Sequence, residues 1–383
     1  MANKIRGFVA LTGGTLGCLD TLTSASVANG DMAYGVVDSV QYTYVFDASS
    51  TAAANPPLVI QPISGTGRWL LSPAHTVAAP ENILINGNLD IWQRATSKEH
   101  TGGSNGSYGS VDRWRLGSVQ DSVGWHPLLV ERSDVVPAGS TYSMLLTTTN
   151  ANDNRIICQQ HIESRETKKL KGKTVTFSVK WLRSGTLAAG STIAAYISYA
   201  TAPDNFATAT VEVSKTLRTG LETSSTSVWA TYSYTFAITD NMAANGLAIQ
   251  VVIKTSDFGP LMSTAGAIGR LAQAELREGS LAIPTRKRSY SEELALCQRY
   301  YDITIANTRG KVDASGEQIE TPVVWHQPMR ATPTVTLVAG TRSNVSDCKI
   351  EGTTVLGARH WLMAGAAGGM YALMETVKAD AEL

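Results

Sequence analysis

The chain has 383 residues, 43% of them hydrophobic and only 17% charged, and its 32 basic side chains balance 32 acidic ones. A formal net charge of zero gives no overall field to draw nucleic acid or an anionic membrane, and no run approaches the roughly 20 apolar residues that span a bilayer. Thirty-three glycines, thirteen prolines and abundant Ser and Thr suit short strands joined by tight turns, so the composition points to an all-β, mainly antiparallel chain of two or three domains.

Residues 1–79 read as a small β-rich module. Short apolar runs at Val36-Val37, Tyr42 to Phe46, Leu58 to Ile60 and Trp69 to Leu71 are parted by Gly, Pro, Asn and Ser. So short a module has a thin core and gains stability by packing on copies of itself or on a partner. No apolar stretch of signal-peptide length follows Lys4 and Arg6, so the chain is expected to be soluble and made in a cytosol. Pro73 and Ala78-Ala79-Pro80 mark a linker.

Residues 80–288 carry the clearest strand pattern. From Thr174 to Trp181, the apolar Val175, Phe177, Val179 and Trp181 alternate with Thr174, Thr176, Ser178 and Lys180, the period of a half-buried antiparallel strand. The same alternation puts Ile193 to Tyr199, Val228 to Phe236 and Leu247 to Ile253 each on one face. With no convincing helix between them, such strands predict two packed antiparallel sheets, a jelly-roll β-sandwich.

Residues 289–383 open with one short helix near 289–301. Ser289 and Glu292 suit a capping box, and Tyr290, Leu294, Cys297 and Tyr301 fall on one predicted apolar face. Strands are expected at Tyr300 to Ile305, Thr321 to Trp325 and Thr334 to Val338. The acidic end, Val377 to Leu383, reads as a tail that is poorly ordered unless docked.

No constellation of residues announces catalysis. Gly102-Gly103-Ser104-Asn105-Gly106 matches the GxSxG string but lies in a Gly/Ser-rich loop without the strand and helix that a nucleophile elbow requires. The six histidines include no pair at metal-binding spacing, and Cys18, Cys158, Cys297 and Cys348 form no CxxC pair. These cysteines read as free buried thiols. Asn150 to Asn154 opens like a calcium loop but has Arg155 and His161 where that loop needs Gly and Glu, so it reads as a turn. A structural calcium elsewhere stays compatible with a jelly roll, although no ligand set can be named. The basic runs Lys168 to Lys173 and Arg286 to Arg288 border strands, where charges solvate turns and protect edges.

Sugars stack their apolar faces on aromatic rims while their hydroxyls meet Asp, Asn and Arg. Trp92, Trp114 and Trp125 cluster early in the middle module, with Tyr108 between them and Asp112 alongside, and these five are the candidate ligand-binding residues. Trp92 and Trp114 also suit a core position. Trp125 and Tyr108 are the better candidates for an exposed rim.

Three segments, in order, resemble bacteriophage tail-fibre and tail-spike proteins. LTGGTLGCLD at 11–20, with Asn29-Gly30-Asp31, YTYVFDASS at 42–50 and Gly67-Arg68-Trp69, is similar to their N-terminal adaptor. NILINGNLDIWQR at 82–94, followed by Asp112-Arg113-Trp114, resembles the opening of their jelly roll. LAQAELREGSLAIPTRKRSYSEELALCQRYY at 271–301 resembles the junction that follows, with Arg277 where the family usually has an acidic residue. The resemblance implies a jelly roll flanked by a tail-attachment module and a C-terminal module, in a homotrimeric virion protein made in the host cytoplasm. It implies non-catalytic attachment to a host-surface glycan or receptor, partners among other tail proteins, and neither nucleic-acid binding nor membrane insertion. A purely structural tail or capsid-decoration protein is the alternative, and a polysaccharide-degrading spike a further one.

Overall fold

In the computed structural model, which describes residues 4–37, 40–72, 81–101, 106–120, 124–150, 155–255, 259–280 and 286–383, antiparallel strands dominate and helices are short. The loop at 102–105, the turn at 151–154 and the linker at 73–80 lie outside the described residues.

Near the N-terminus, five strands form one sheet, in which Ile5–Phe8 runs parallel to Met32–Val37 and the remaining pairs are antiparallel. The core is small, as expected: Tyr44, Phe46, Ile60, Trp69 and Leu19 supply its centre. Polar side chains finish the turns that hydrophobic burial cannot hold. Asp20 accepts the amides of Gly13 and Gly14, and Asp31 accepts those of Lys4 and Ala28.

The alternating segments build a sandwich of two six-stranded sheets. One sheet runs, in spatial order, Ala230–Ala237, Thr174–Arg183, Gly266–Glu278, Ser143–Thr148, Leu128–Ser133 and Ser97–His100. The other runs Asn205–Thr219, Ser191–Ala202, Leu247–Thr255, Arg155–Ile162, Arg115–Gln120 and Gly124–His126. Val175, Phe177, Val179 and Trp181 point inward to meet Ile193, Ile197, Ile249 and Val251 from the facing sheet. Val228 precedes its strand and is exposed, because pairing with Thr174–Arg183 begins only at Ala230. Two short helices, Ser164–Thr167 and Asp240–Asn245, interrupt a region expected to hold none. Thr239 caps the second by accepting the Met242 amide.

The C-terminal part pairs two small sheets. Tyr301–Val312, Thr334–Val338 and Thr341–Ser343 all bond to the long strand Gly368–Asp380, while Gln318–Val324 and Val345–Glu351 flank Gly357–Ala364.

Helix Tyr290–Gln298 carries the expected capping box of Ser289 and Glu292. Of the expected face, Cys297 and Tyr301 are buried and Leu294 is half-buried, but Tyr290 is 63% exposed and Glu293 is buried in its place. The reason is electrostatic. The Glu293 carboxylate accepts the Asn86 amide and pairs with Arg288, which turns the helix so that its carboxylate faces the sandwich. The acidic tail meets the expected condition for order, because it is docked on arginines of the jelly roll.

Candidate functional site

The family-like motif residues converge on an internal joint. Asn86, in a left-handed conformation at φ 55, uses its whole amide: Nδ2 donates to the Ile91 and Asp112 carbonyls, and Oδ1 accepts the Ile91 amide. Trp114 is buried and donates from Nε1 to the Asn86 carbonyl at 3.1 Å. Gln93 donates from Nε2 to Asp112 at 2.7 Å and to the Tyr301 carbonyl at 3.0 Å, so one side chain ties the sandwich to the C-terminal module.

Charges complete the joint. Arg94 bonds Asp380 at 2.6 Å and Glu382 at 3.2 Å and lies 3.6 Å from the centre of the Tyr301 ring. Arg113 pairs with Glu382, donates to the His161 carbonyl at 2.7 Å and lies 3.4 Å from the Tyr300 ring centre. Burial opposes the Arg113 charge, but Glu382 more than offsets it and holds the guanidinium firmly protonated. Burial pushes Asp112 up to about 7, against the lowering effect of Gln93 and Arg94. The neighbouring His161 is pushed down to about 3 by burial, and its ring stacks on Phe206.

This geometry accounts for most of the candidate residues. Asp112 and Trp114 are interior parts of the joint. Trp92 is half-buried against the sandwich core and donates to the Leu89 carbonyl. Tyr108 does not form an exposed rim: it is half-buried, its hydroxyl donates to the Leu383 carbonyl at 3.1 Å, and burial pushes its phenol up. The backbone of Trp125 pairs with Val119, and its side chain lies outside the described residues. Lys169, Lys171 and Lys173 are paired with Glu166, Asp240 and Glu278.

A different place has the form of a binding site. Opposite Val179, the strand Gly266–Glu278 carries one extra residue, a β-bulge at Gln273 and Ala274. Gln273 adopts φ 46, a left-handed conformation that costs an L residue about 1–2 kcal/mol. The distortion is held by the motif segment, since Ala274 donates to the Gly87 carbonyl, and Asn82 bonds both the Ala274 carbonyl and the Leu276 amide. Gly87 is required there because a Cβ would overlap the Ala274 carbonyl.

The bulge opens a cleft of about 520 Å³ on the outer side of this sheet. Gln273 spans its wall, with Nε2 donating to the Ala138 carbonyl at 3.0 Å and to Ser140 at 2.9 Å. Around it stand Asp90, Lys180, Glu275 and Lys287, with Tyr290 among the lining residues. Asn88 donates to one Asp90 oxygen at 2.7 Å, while the other is shielded from water and has no hydrogen-bond partner in the protein. Lys180 makes no ion pair among the described residues.

Two other clefts are less suited to a sugar. One of about 710 Å³, across the linker at Arg286 to Arg288, is lined by charges that pair among themselves, including Arg286 with Glu81 and Lys169 with Glu166. Another, of about 500 Å³, includes Tyr108 and Phe206, whose rings are already engaged by Arg94 and His161. Among the described residues, one group could hold a metal ion, Cys348, His360 and Glu375 in the C-terminal module.

No family model matches the chain, and no curated protein matches it either. Among solved structures it is similar to the enzymatically active domain of tailspike protein 4 of bacteriophage CBA120, at 11% identity and a TM-score of 0.30. That match covers 52% of this chain and only 21% of the tailspike chain. It is also similar to the C-terminal family 22 carbohydrate binding module of Clostridium thermocellum Xyn10B, at 18% identity and a TM-score of 0.30 over 48% of this chain and 100% of that one. Discoidin II of Dictyostelium discoideum matches at 11% identity and a TM-score of 0.19, covering 66% of this chain and 87% of its own. Likenesses this distant say nothing of a ligand.

Proposed function

We propose that the chain is a non-catalytic adhesin of a phage tail fibre or tail tip, which holds a host-surface glycan in the cleft around Gln273. The observation that carries the reading is the strained bulge itself. It sustains a polar cleft with carboxylate, amide and ammonium groups and an exposed Tyr290, the mixture that sugar hydroxyls and a sugar's apolar face require. The order of family-like motifs supports the virion setting. In this proposal the N-terminal module joins the tail, three copies associate, and several weak sites on one particle add to useful avidity.

A glycan array probed with the assembled protein tests this. Binding that is lost in Tyr290→Ala supports the adhesin, while no binding, together with phage that adsorb normally without the protein, overturns it. New reducing or unsaturated ends after incubation with host capsule would contradict the non-catalytic part. One observation favours a second reading, a purely structural tail protein: Arg94, Asp112, Arg113 and Tyr301 are all engaged in an internal joint.

A further inference from the structure

Three side chains from three strands of the C-terminal module converge between its two sheets. Cys348 lies on Val345–Glu351, His360 on Gly357–Ala364 and Glu375 on Gly368–Asp380. The Cys348 sulfur is 3.2 Å from His360 Nε2 and 3.0 Å from Glu375 Oε2, and those two atoms are 2.7 Å apart. His360 and Glu375 are fully buried, whereas Cys348 is partly open to solvent.

We propose that Cys348, His360 and Glu375 form a binding site for one divalent transition-metal ion, zinc above all. A thiolate, an imidazole and a carboxylate suit a borderline-soft ion, and magnesium or calcium would take an all-oxygen set instead. Bonds of about 2.0–2.3 Å in a tetrahedral arrangement need donors roughly 3.3–3.7 Å apart. The three atoms already stand a little closer than that, so opening by about half an ångström accommodates the ion.

The surrounding groups orient the donors without occupying them. Thr308 Oγ1 lies 2.8 Å from His360 Nδ1, which fixes the ring with Nε2 toward the other two ligands. Arg342 donates to Glu375 Oε1 and leaves Oε2 for the ion. On loading, the thiol proton passes to solvent, and the imidazole keeps its proton on Nδ1, from which it donates a hydrogen bond to the Thr308 hydroxyl. The fourth position falls on the open side at Cys348 and is left for water. Thiolate and carboxylate together neutralise the ion, and the metal ties three strands across the small cores of this module.

The test uses the full chain stripped with chelator and then titrated with Zn²⁺ and with Co²⁺. One equivalent of tightly held metal per chain and a thiolate-to-cobalt charge-transfer band are expected. Cys348→Ser should abolish the band, whereas Cys18→Ser, in the N-terminal module, should keep it. A second measurement needs no variant: Zn²⁺ should slow alkylation of Cys348 in the native wild-type chain at least tenfold. Absence of stoichiometric uptake, a band that survives in Cys348→Ser, or unchanged alkylation of Cys348 would overturn the proposal.

Discussion

Arg113 and Glu382, 269 residues apart in sequence, form an ion pair in which both side chains are almost completely buried. The pair closes the joint between the jelly roll and the C-terminal module. Such a pair contributes less by its own attraction than by what its breaking would leave behind, an uncompensated charge in a low-dielectric site. Glu382→Gln is therefore expected to lower stability by about 3–5 kcal/mol. Urea denaturation with an unchanged m-value measures this. A loss below about 1 kcal/mol, the range of exposed pairs, would show that the tail is not docked as described.

Gln273→Gly separates strain from function. Glycine accepts the left-handed backbone without penalty, which offsets the loss of two side-chain hydrogen bonds worth about 1 kcal/mol each. Stability should stay within about 1 kcal/mol of wild type, while ligand binding weakens about tenfold as the wall at Ala138 to Ser140 loosens. Thermal denaturation and a binding titration on the same samples check both halves.

Acid should destabilise the fold through buried histidines. Burial depresses His161 to about 3 and His100 to about 4, from an ordinary 6.5, so only the unfolded chain takes up these protons between pH 6.5 and about 4. Stability is therefore lost as pH falls through that window. Asp112 acts in the opposite sense: with its pKa raised from 3.8 to about 7, the folded chain keeps a proton that the unfolded chain releases, and stability is lost as pH rises from about 4 to 7. The stability of Asp112→Asn relative to wild type should thus increase from pH 4 to pH 7. Denaturation midpoints across this range check the slope, and a flat difference would mean that Asp112 stays ionised.

The terminal modules should associate. Exposed large apolar side chains concentrate there, with Ile5, Val9 and Leu16 at one end and Val324, Leu356 and Met374 at the other. The jelly roll shows fewer among the described residues, Val135, Val211 and Val228. Light scattering after gel filtration is expected to give a mass of three chains. A monomer at micromolar concentration would contradict the proposed assembly.

Sequence pattern alone revealed the sandwich, because strict alternation such as Val175 to Trp181 has one physical reading. The capping box at Ser289 was legible for the same reason, since its chemistry is local. What stayed hidden was non-local. Glu293 takes the buried stripe of its helix from Tyr290 because Asn86 and Arg288, distant in sequence or outside the helix, bind its carboxylate. The docked tail depends on Arg94 and Arg113, and the cleft depends on a bulge that no propensity marks. Cys348, His360 and Glu375 are 12 and 15 residues apart, spacings that match no metal motif and meet only when two sheets pack.

The most direct test of the adhesin is a binding titration of the assembled protein against its array-selected glycan, comparing Tyr290→Ala and Lys180→Ala with Tyr108→Phe. Both cleft variants are expected to lose at least tenfold in affinity with unchanged thermal stability, and Tyr108→Phe to bind like wild type. Wild-type affinity in both cleft variants, or loss in Tyr108→Phe alone, would place the ligand elsewhere and contradict the proposed site.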